Sequence, residues 1–224
     1  MMAGMVSFDE KAQFIGARAA MVETQLKSRG IKDRRVLEVM GQLPREEFIS
    51  PQYAPEAYAD RPVPIGLGQT ISQPYIVALM TERLRLNDEC DVLELGTGCG
   101  YQTAILARLA GRVFTVERLG QLSEGAQAVL GRLGVDNVEF YTGDGSEGWY
   151  EDRQFDRIIV TAAIPEAPRT LKDQLKDGGL LVAPVGGALT QELMLYEKQG
   201  DVLESEMICS CRFVKLIGKH GFDE

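Results

Sequence analysis

The first third of the chain reads as helical, and the rest reads as strands alternating with helices. Ser7 and Glu10 have the S-x-x-E spacing of a capping box ahead of a predicted helix over 8–28, which Gly30 stops. Asp33 can cap a second helix running to Gln42. Pro44, Pro51, Pro55, Pro62 and Pro64 then break the chain into a long irregular stretch, in which Tyr53 and Tyr58 read as packing residues. Pro74 suits the first turn of a third helix over 74–84. Beyond it, short apolar strands are expected at 91–95, 112–116, 137–141, 155–160 and 180–183. Helices are expected between them at 101–110, 119–133 and 168–175, the last stopped by Gly178-Gly179. Two longer strands, 190–196 and 202–216, meet at a turn on Gly200-Asp201. Strand-helix alternation predicts a parallel sheet with right-handed crossovers, and the terminal pair adds antiparallel strands.

Composition narrows the chemistry. At 224 residues, 45% hydrophobic and 25% charged, the chain is sized for one well-cored α/β domain. Its net charge of −9 disfavours nucleic acid as a partner. A single histidine, His220, lies in an expected tail; this excludes a multi-histidine metal site and leaves no natural place for an imidazole base, so no metal is expected. Cys90, Cys99, Cys209 and Cys211 are too few for a disulfide scaffold. The Cys209-x-Cys211 pair has no second pair to complete a metal site and reads as thiols on one face of a strand. The N-terminus lacks the order of a signal peptide, and no apolar run is long enough to span a membrane; a reducing cytoplasm is expected.

The most informative stretch is Glu94-Leu-Gly96-Thr97-Gly98-Cys-Gly100-Tyr101, a triple-glycine turn between a strand and a helix. Glycine permits positive φ and lets a ligand approach bare backbone. The spacing is G-x-G-x-G, not the G-x-G-x-x-G of dinucleotide sites, which suits a cofactor without a pyrophosphate and weighs against an NAD oxidoreductase. Glu117 ends the next strand, at the distance where an acid accepts both hydroxyls of a ribose. Asp144, in Gly143-Asp144-Gly145, follows the third strand, where a carboxylate can accept from an adenine amino group. Alone, each has an ordinary reading as a tight turn, a helix cap or a turn aspartate. Together, at successive strand C-termini, they favour a nucleoside site.

Three stretches resemble the protein-L-isoaspartate (D-aspartate) O-methyltransferases over about 21–218. They are Gly68-Gln-Thr70-Ile71-Ser72-Gln-Pro74-Tyr-Ile-Val-Ala78; Val92-Leu-Glu94-Leu-Gly96 through Ala104; and Gly143-Asp144-Gly145-Ser-Glu-Gly148-Trp149 with 155–163. The glycine motif is shared among many methyltransferases, whereas Thr-Ile-Ser-Gln-Pro joined to Gly-Asp-Gly-Ser-x-Gly-Trp is specific. The resemblance implies a Rossmann-like class I methyltransferase: a mostly parallel, doubly wound α/β sheet with a helical substrate-side segment (1–85), a cofactor-binding core (90–224) and antiparallel C-terminal strands. It implies S-adenosyl-L-methionine as cofactor, leaving as S-adenosyl-L-homocysteine. The implied acceptor is the free α-carboxylate of L-isoaspartyl residues in damaged proteins, whose methyl ester collapses to a succinimide and so starts repair. Carried over by position, Ser72 is the active-site serine. Thr70, Ile71 and Val214 bind substrate, and Glu94, Gly96, Thr97, Gly98, Gly100, Glu117, Asp144 and Gly145 hold the cofactor. The chain departs from the family pattern at Gln73-Pro74-Tyr75, where many members have Ala-Pro-His, and at Lys215, where a proline is frequent.

The chemistry suits these residues. A carboxylate is already an anion at neutral pH and needs no general base. Its attack on a sulfonium methyl neutralises charge, so alignment in a dry site matters more than charged groups. Thr70 and Ser72 precede a proline-started helix, so hydroxyls and free N–H groups at its positive end can meet the acceptor, with Ser72 also capping that helix. A methyltransferase for another acceptor and a non-catalytic relative are the remaining alternatives. Thr161-Ala-Ala-Ile-Pro165 does not resemble the Asn-Pro-Pro-Tyr run of amide or adenine N-methylation.

Overall fold

The computed structural model describes residues 8–167, 169–187 and 189–223. Ser7 of the expected capping box, and Pro168 at the expected start of the 168–175 helix, lie outside them. The helical opening is α1 (Phe8–Met21) and α2 (Arg34–Gln42). After Met21 the first helix widens into a π turn (Val22–Leu26) and tightens into a 3-10 turn (Lys27–Arg29) that closes on Gly30 at φ +93. Thr24 Oγ1 donates back to the Ala20 carbonyl at 2.7 Å, a bond that loosens a helical ladder. The wider turn also lets Met21, Val22 and Leu26 all stay buried. Asp33 caps α2, its carboxylate accepting from the Arg35 and Val36 N–H groups at 2.8 and 3.3 Å.

The proline-rich stretch was expected to be irregular but contains an antiparallel hairpin, β1 (Val63–Gly66) and β2 (Gln69–Ile71). Its tip, Gly66-Leu67-Gly68, has three successive positive φ values of 95, 52 and 73°. Glycine makes two of them inexpensive, and Pro64 is tolerated because the ribbon has free edges. Helix α3 (Pro74–Arg83) follows.

The remaining elements are β3 (Asp91–Leu95), α4 (Tyr101–Ala107), β4 (Arg112–Glu117), α5 (Gly120–Arg132), β5 (Val138–Thr142), β6 (Phe155–Val160), α6 (Arg169–Asp173), β7 (Leu175–Gly186), β8 (Gln191–Gln199) and β9 (Val202–Cys211). They build a seven-stranded sheet in the order β5-β4-β3-β6-β7-β8-β9. The first five strands are parallel, and β8 and β9 add antiparallel to β7. Side chains alternate between two cores. Val92, Val113, Ile159 and Val182 face the N-terminal helices, α3, α4 and α5, while Leu93, Leu95, Phe114, Ile158 and Leu181 face α6 and Trp149. Burial on both faces is why these strands read as continuous apolar runs.

Three expectations at the C-terminal end are corrected. Gly178-Gly179 does not stop a helix: both lie inside β7, in an irregularity of its pairing with β6. Gly178 has φ +70, and a Cβ on Gly179 would stand 2.7 Å from the Lys176 carbonyl oxygen, so the glycines form a bulge. The last strand ends at Cys211, not 216. The chain then crosses to Ala163, whose N–H donates to the Val214 carbonyl at 2.7 Å and whose carbonyl accepts from Leu216 N–H at 2.8 Å. Residues 216–222 close a hook in which Phe222 N–H donates to Leu216. His220 is therefore held, not in a loose tail: its N–H donates to Ser146 Oγ at 2.9 Å. No described helix is long and apolar enough to cross a membrane.

Candidate active site

The chain runs from β3 outward to β5 and returns to the other side of β3 at β6, so the sheet's switch point lies between β3 and β6. Ligands of open α/β sheets bind beyond the strand C-termini at such a point. The glycine loop sits there. Gly96, Gly98 and Gly100 all have positive φ, at 98, 55 and 86°. Gly96 lies against the end of β6, where a Cβ would stand 2.4 Å from Thr161 Oγ1; that hydroxyl donates to the Gly96 and Leu95 carbonyls at 2.6 and 3.0 Å. Gly98 turns its backbone toward open space, with Ile65 Cδ1 the nearest obstacle at 3.5 Å. Gly100 does something else: a Cβ there would meet Leu130 Cδ1 at 2.7 Å and Ala126 Cβ at 3.0 Å, so it lets α4 start against α5.

The acidic residues occupy three levels. Glu94 is wholly buried beneath the loop. Its Oε2 accepts from Thr103 Oγ1 at 2.6 Å and Thr115 Oγ1 at 2.7 Å, and Thr97 Oγ1 donates to Thr115 Oγ1 at 2.6 Å. Its Oε1 has no partner, and burial pushes its carboxyl up to about 8 against the pull of the two threonine hydroxyls. Glu117 lies at the loop's edge, accepting from Gly98 N–H at 2.8 Å and Leu119 N–H at 2.9 Å, one on each oxygen. A carboxylate has about four acceptor sites, so each oxygen keeps capacity for one further hydroxyl. Asp144 Oδ1 accepts from Ser146 N–H at 2.8 Å and Ser146 Oγ at 2.7 Å, and Oδ2 accepts from Lys219 N–H at 2.7 Å. These bonds outweigh partial burial and hold its carboxyl below the usual range. One acceptor site on Oδ2 remains. Glu117, Gly96 and Gly145 line one cleft with residues 215–217. Bare glycine backbone, a ribose-competent acid and an amino-accepting acid thus match the hydrogen-bonding groups of an adenosine.

Gly96 also lines a second cavity, with Thr97, Gly98, Thr70, Ser72, Thr161, Tyr101 and Phe213. Thr70, Ser72, Thr161 and Phe213 are shared in turn with a groove of about 360 Å³ bordered by Val214 and Arg212. The three spaces follow one another from the Glu117 cleft to the surface. Ser72 stands where the inner cavity meets the groove. It does not cap α3: Gln73 is the N-cap residue, with no side-chain cap, and among the described residues the Ser72 hydroxyl has no partner. Gln73 turns its amide away to Asp60 Oδ1 at 2.8 Å. Ile71 is buried in the wall and Thr70 is exposed.

The sequence profile of the protein-L-isoaspartate (D-aspartate) O-methyltransferases matches residues 17–221. The chain belongs to this family. A protein-L-isoaspartate O-methyltransferase of Geobacter metallireducens is 54% identical over 92% of this chain and 96% of its own length. One of Methanoregula boonei is 52% identical over 92% and 95%. A solved protein-L-isoaspartate O-methyltransferase superposes with TM-score 0.82 at 32% identity, covering 91% of this chain and 67% of that one. A Plasmodium falciparum structure described as a member of the same family, in complex with S-adenosyl-L-homocysteine, gives TM-score 0.78 at 28% identity, covering 89% and 98%. The fold is thus the class I methyltransferase fold of the family. Both departures from the family pattern acquire partners here. Tyr75 lies under Arg29, whose guanidinium carbon is 3.7 Å from the ring centre, and Lys215 Nζ is 5.5 Å from the centre of the Phe222 ring. Thr161, Phe213 and residues 215–217 line these spaces too and were not singled out as site residues from the sequence, although Thr161 stands inside the 155–163 stretch. Cys209 and Cys211 are half-buried free thiols on β9, opposite Leu193 and Gln191 of β8, and burial pushes the Cys211 thiol up to about 12.

Proposed function

We infer that this chain transfers the methyl group of S-adenosyl-L-methionine to the free α-carboxylate of L-isoaspartyl residues in proteins and peptides, starting their repair through a methyl ester and a succinimide. The observation that carries the residue assignment is Ser72: an unpartnered hydroxyl at the junction of the cofactor-side cavity and an open groove. When bound, the cofactor supplies a methyl group activated by a sulfonium. Glu117 would accept the ribose hydroxyls, Asp144 would accept from the adenine amino group, and the backbone of Gly96 and Gly98 would lie along the remainder. Glu94 acts from below, setting the loop through Thr115 and Thr97. Gly100 serves helix packing.

On the substrate side, Ser72 donates to the acceptor carboxylate, and Thr70 and Val214 flank it. The free N–H groups of Tyr75 and Ile76, in the first turn of α3, supply a positive helix end toward that carboxylate. Among the described residues, no charged side chain lines the cavity between the two sides. An acceptor and cofactor that fill this space would meet no competing charged group where their two opposite charges cancel, which favours the transition state. The groove reaches the surface, as a protein substrate requires, and the net charge of −9 disfavours nucleic acid. All four cysteines are free, which suits a reducing compartment and supports a cytoplasmic enzyme.

The test uses labelled S-adenosyl-L-methionine with a matched pair of isoaspartyl and aspartyl peptides. Base-labile label appears on the isoaspartyl peptide alone. Ser72→Ala lowers turnover by about 10- to 100-fold, the effect of losing one hydrogen bond to a charged group, while cofactor affinity moves less than about threefold. Label on both peptides, or undiminished turnover in Ser72→Ala, removes the acceptor or the serine from the reading.

A further inference from the structure

Arg45 opens a short 3-10 turn after α2 and is completely buried. A buried guanidinium ordinarily has a carboxylate against it, because an unpaired charge in the interior is costly. Arg45 has none. The neighbouring Glu46 turns instead to Arg18, at 3.0 Å, and to the Tyr58 hydroxyl. Arg45 Nε donates to the Ala57 carbonyl at 2.6 Å and Nη2 to the Ser72 carbonyl at 2.7 Å. Its guanidinium carbon lies 4.7 Å from the centre of the Tyr101 ring; among the described residues Nη1 makes no well-formed hydrogen bond, and the Tyr101 hydroxyl is the polar group that faces the guanidinium. Burial lowers its pKa, so the charge is held at a cost. An apolar side chain of similar volume would fill this space more cheaply.

The three groups it touches define what the charge accomplishes. Ser72 carries the hydroxyl at the acceptor junction, and Ala57 belongs to the segment leading into the hairpin. Tyr101 is the first residue of α4, directly after Gly100 of the cofactor loop, and lines the inner cavity. One rigid guanidinium therefore ties the substrate loop to the cofactor loop. We propose that Arg45 is a positioning residue for methyl transfer: its bond to the Ser72 carbonyl, braced by the bond to Ala57, together with its stacking on Tyr101 fixes Ser72 relative to the glycine loop, and its positive charge behind Ser72, with no carboxylate against it, favours entry of an anionic acceptor. This rests on the reading of Ser72 above. The ammonium of a lysine cannot reproduce the planar fork that meets both carbonyls.

The experiment compares Arg45→Lys, Arg45→Met, Ser72→Ala and the Arg45→Lys/Ser72→Ala double variant. It measures kcat and KM on an isoaspartyl peptide, S-adenosyl-L-methionine binding by calorimetry, and thermal unfolding. Arg45→Lys keeps the charge and loses the fork, so kcat falls at least about tenfold while KM moves less than about threefold. Arg45→Met also loses the charge, so KM rises by about tenfold or more as well. Cofactor affinity stays within about threefold in both. In the Ser72→Ala background, Arg45→Lys costs less than about threefold more, because the group it positions is gone. Wild-type kcat in Arg45→Lys, or the full tenfold loss repeated on top of Ser72→Ala, overturns the role of Arg45 and leaves that of Ser72 standing. Wild-type turnover in Ser72→Ala overturns the serine reading, and with it the proposed coupling. Loss of folding in both Arg45 variants makes the residue structural and also overturns the proposal.

Discussion

Glu94→Gln isolates the energetic consequence of a carboxyl sealed under the cofactor loop. Burial holds this group at about 8, against an ordinary value of 4.5. It therefore binds its proton more tightly folded than unfolded, so stability is greatest below pH 4.5 and is lost as pH rises toward the folded value. At about 1.4 kcal/mol per tenfold in proton affinity, the fully ionised protein is less stable by about 5 kcal/mol. Most of the accessible change lies between pH 6 and pH 9, where the unfolded carboxyl is already ionised and the folded one titrates; that interval accounts for about 3 kcal/mol. Glutamine keeps a carbonyl oxygen for Thr103 and Thr115 and cannot ionise. It leaves an amide where Oε1 has no partner, at a pH-independent cost of about 1–3 kcal/mol. Urea unfolding of both proteins, without cofactor, at pH 6, 7, 8 and 9 gives the profiles. The wild-type profile should fall relative to the variant's by about 3 kcal/mol, with the variant flatter and overtaking at the alkaline end. Parallel profiles would refute the argument, because every other titrating group is common to both proteins.

Other perturbations test separate parts of the site. Gly100→Ala forces a Cβ into Leu130 and Ala126 at φ +86 and should destabilise by about 2–3 kcal/mol in thermal or urea unfolding; a loss below about 1 kcal/mol means α5 yields more easily than its packing implies. Glu117→Gln sets an amide group against a backbone N–H and should weaken S-adenosyl-L-methionine by about 10- to 100-fold in calorimetry, with a change under twofold counting against the ribose assignment. Gly218→Ala puts a Cβ 2.0 Å from Asp144 Oδ1, which should unseat the C-terminal hook. Cofactor affinity should then fall by about tenfold, and the Tm should shift by only a few degrees, because the hook lies at the rim and not in the core.

What the sequence made legible and what it hid divide along physical lines. Strands buried on both faces announce themselves as apolar runs, so β3, β4 and β6 fall within a residue of their expected bounds. The glycine loop was legible because its backbone needs φ values that other residues resist. The hairpin was not: strands of four and three residues are too short to show an alternating period, and Pro64 argues against a strand. The C-terminal hook is held by bonds from Lys219 and His220 to Asp144 and Ser146, separated by about 75 positions, and no local pattern encodes such contacts. Ser72 was expected to cap α3 because serine favours that position. The helix starts at Pro74 as expected, but the residue in the capping position is Gln73, which leaves the Ser72 hydroxyl free for the cavity.

The charge distribution explains how an acidic protein with one histidine can serve an anionic substrate. The −9 charge repels a carboxylate at long range, but salt screens exposed charges beyond about 10 Å, so the groove's own surroundings decide entry. There the inner cavity presents hydroxyls, glycine backbone and a helix end, with no acidic side chain among the described residues that line it. Glu94, the acid directly under the loop, is held mostly protonated at neutral pH, so the nearest buried carboxyl contributes little repulsion. Arg45 adds an uncompensated positive charge behind Ser72 without placing a donor on the attacking oxygen. A cation in direct contact would lower the nucleophilicity of that oxygen, whereas one set back behind a backbone carbonyl can favour binding and leave the oxygen free to react. The nucleophile arrives already ionised, so there is no proton for an imidazole to remove, and His220 serves the hook, its backbone N–H donating to Ser146 and its ring lying near enough to Asp144 to help hold that carboxyl low.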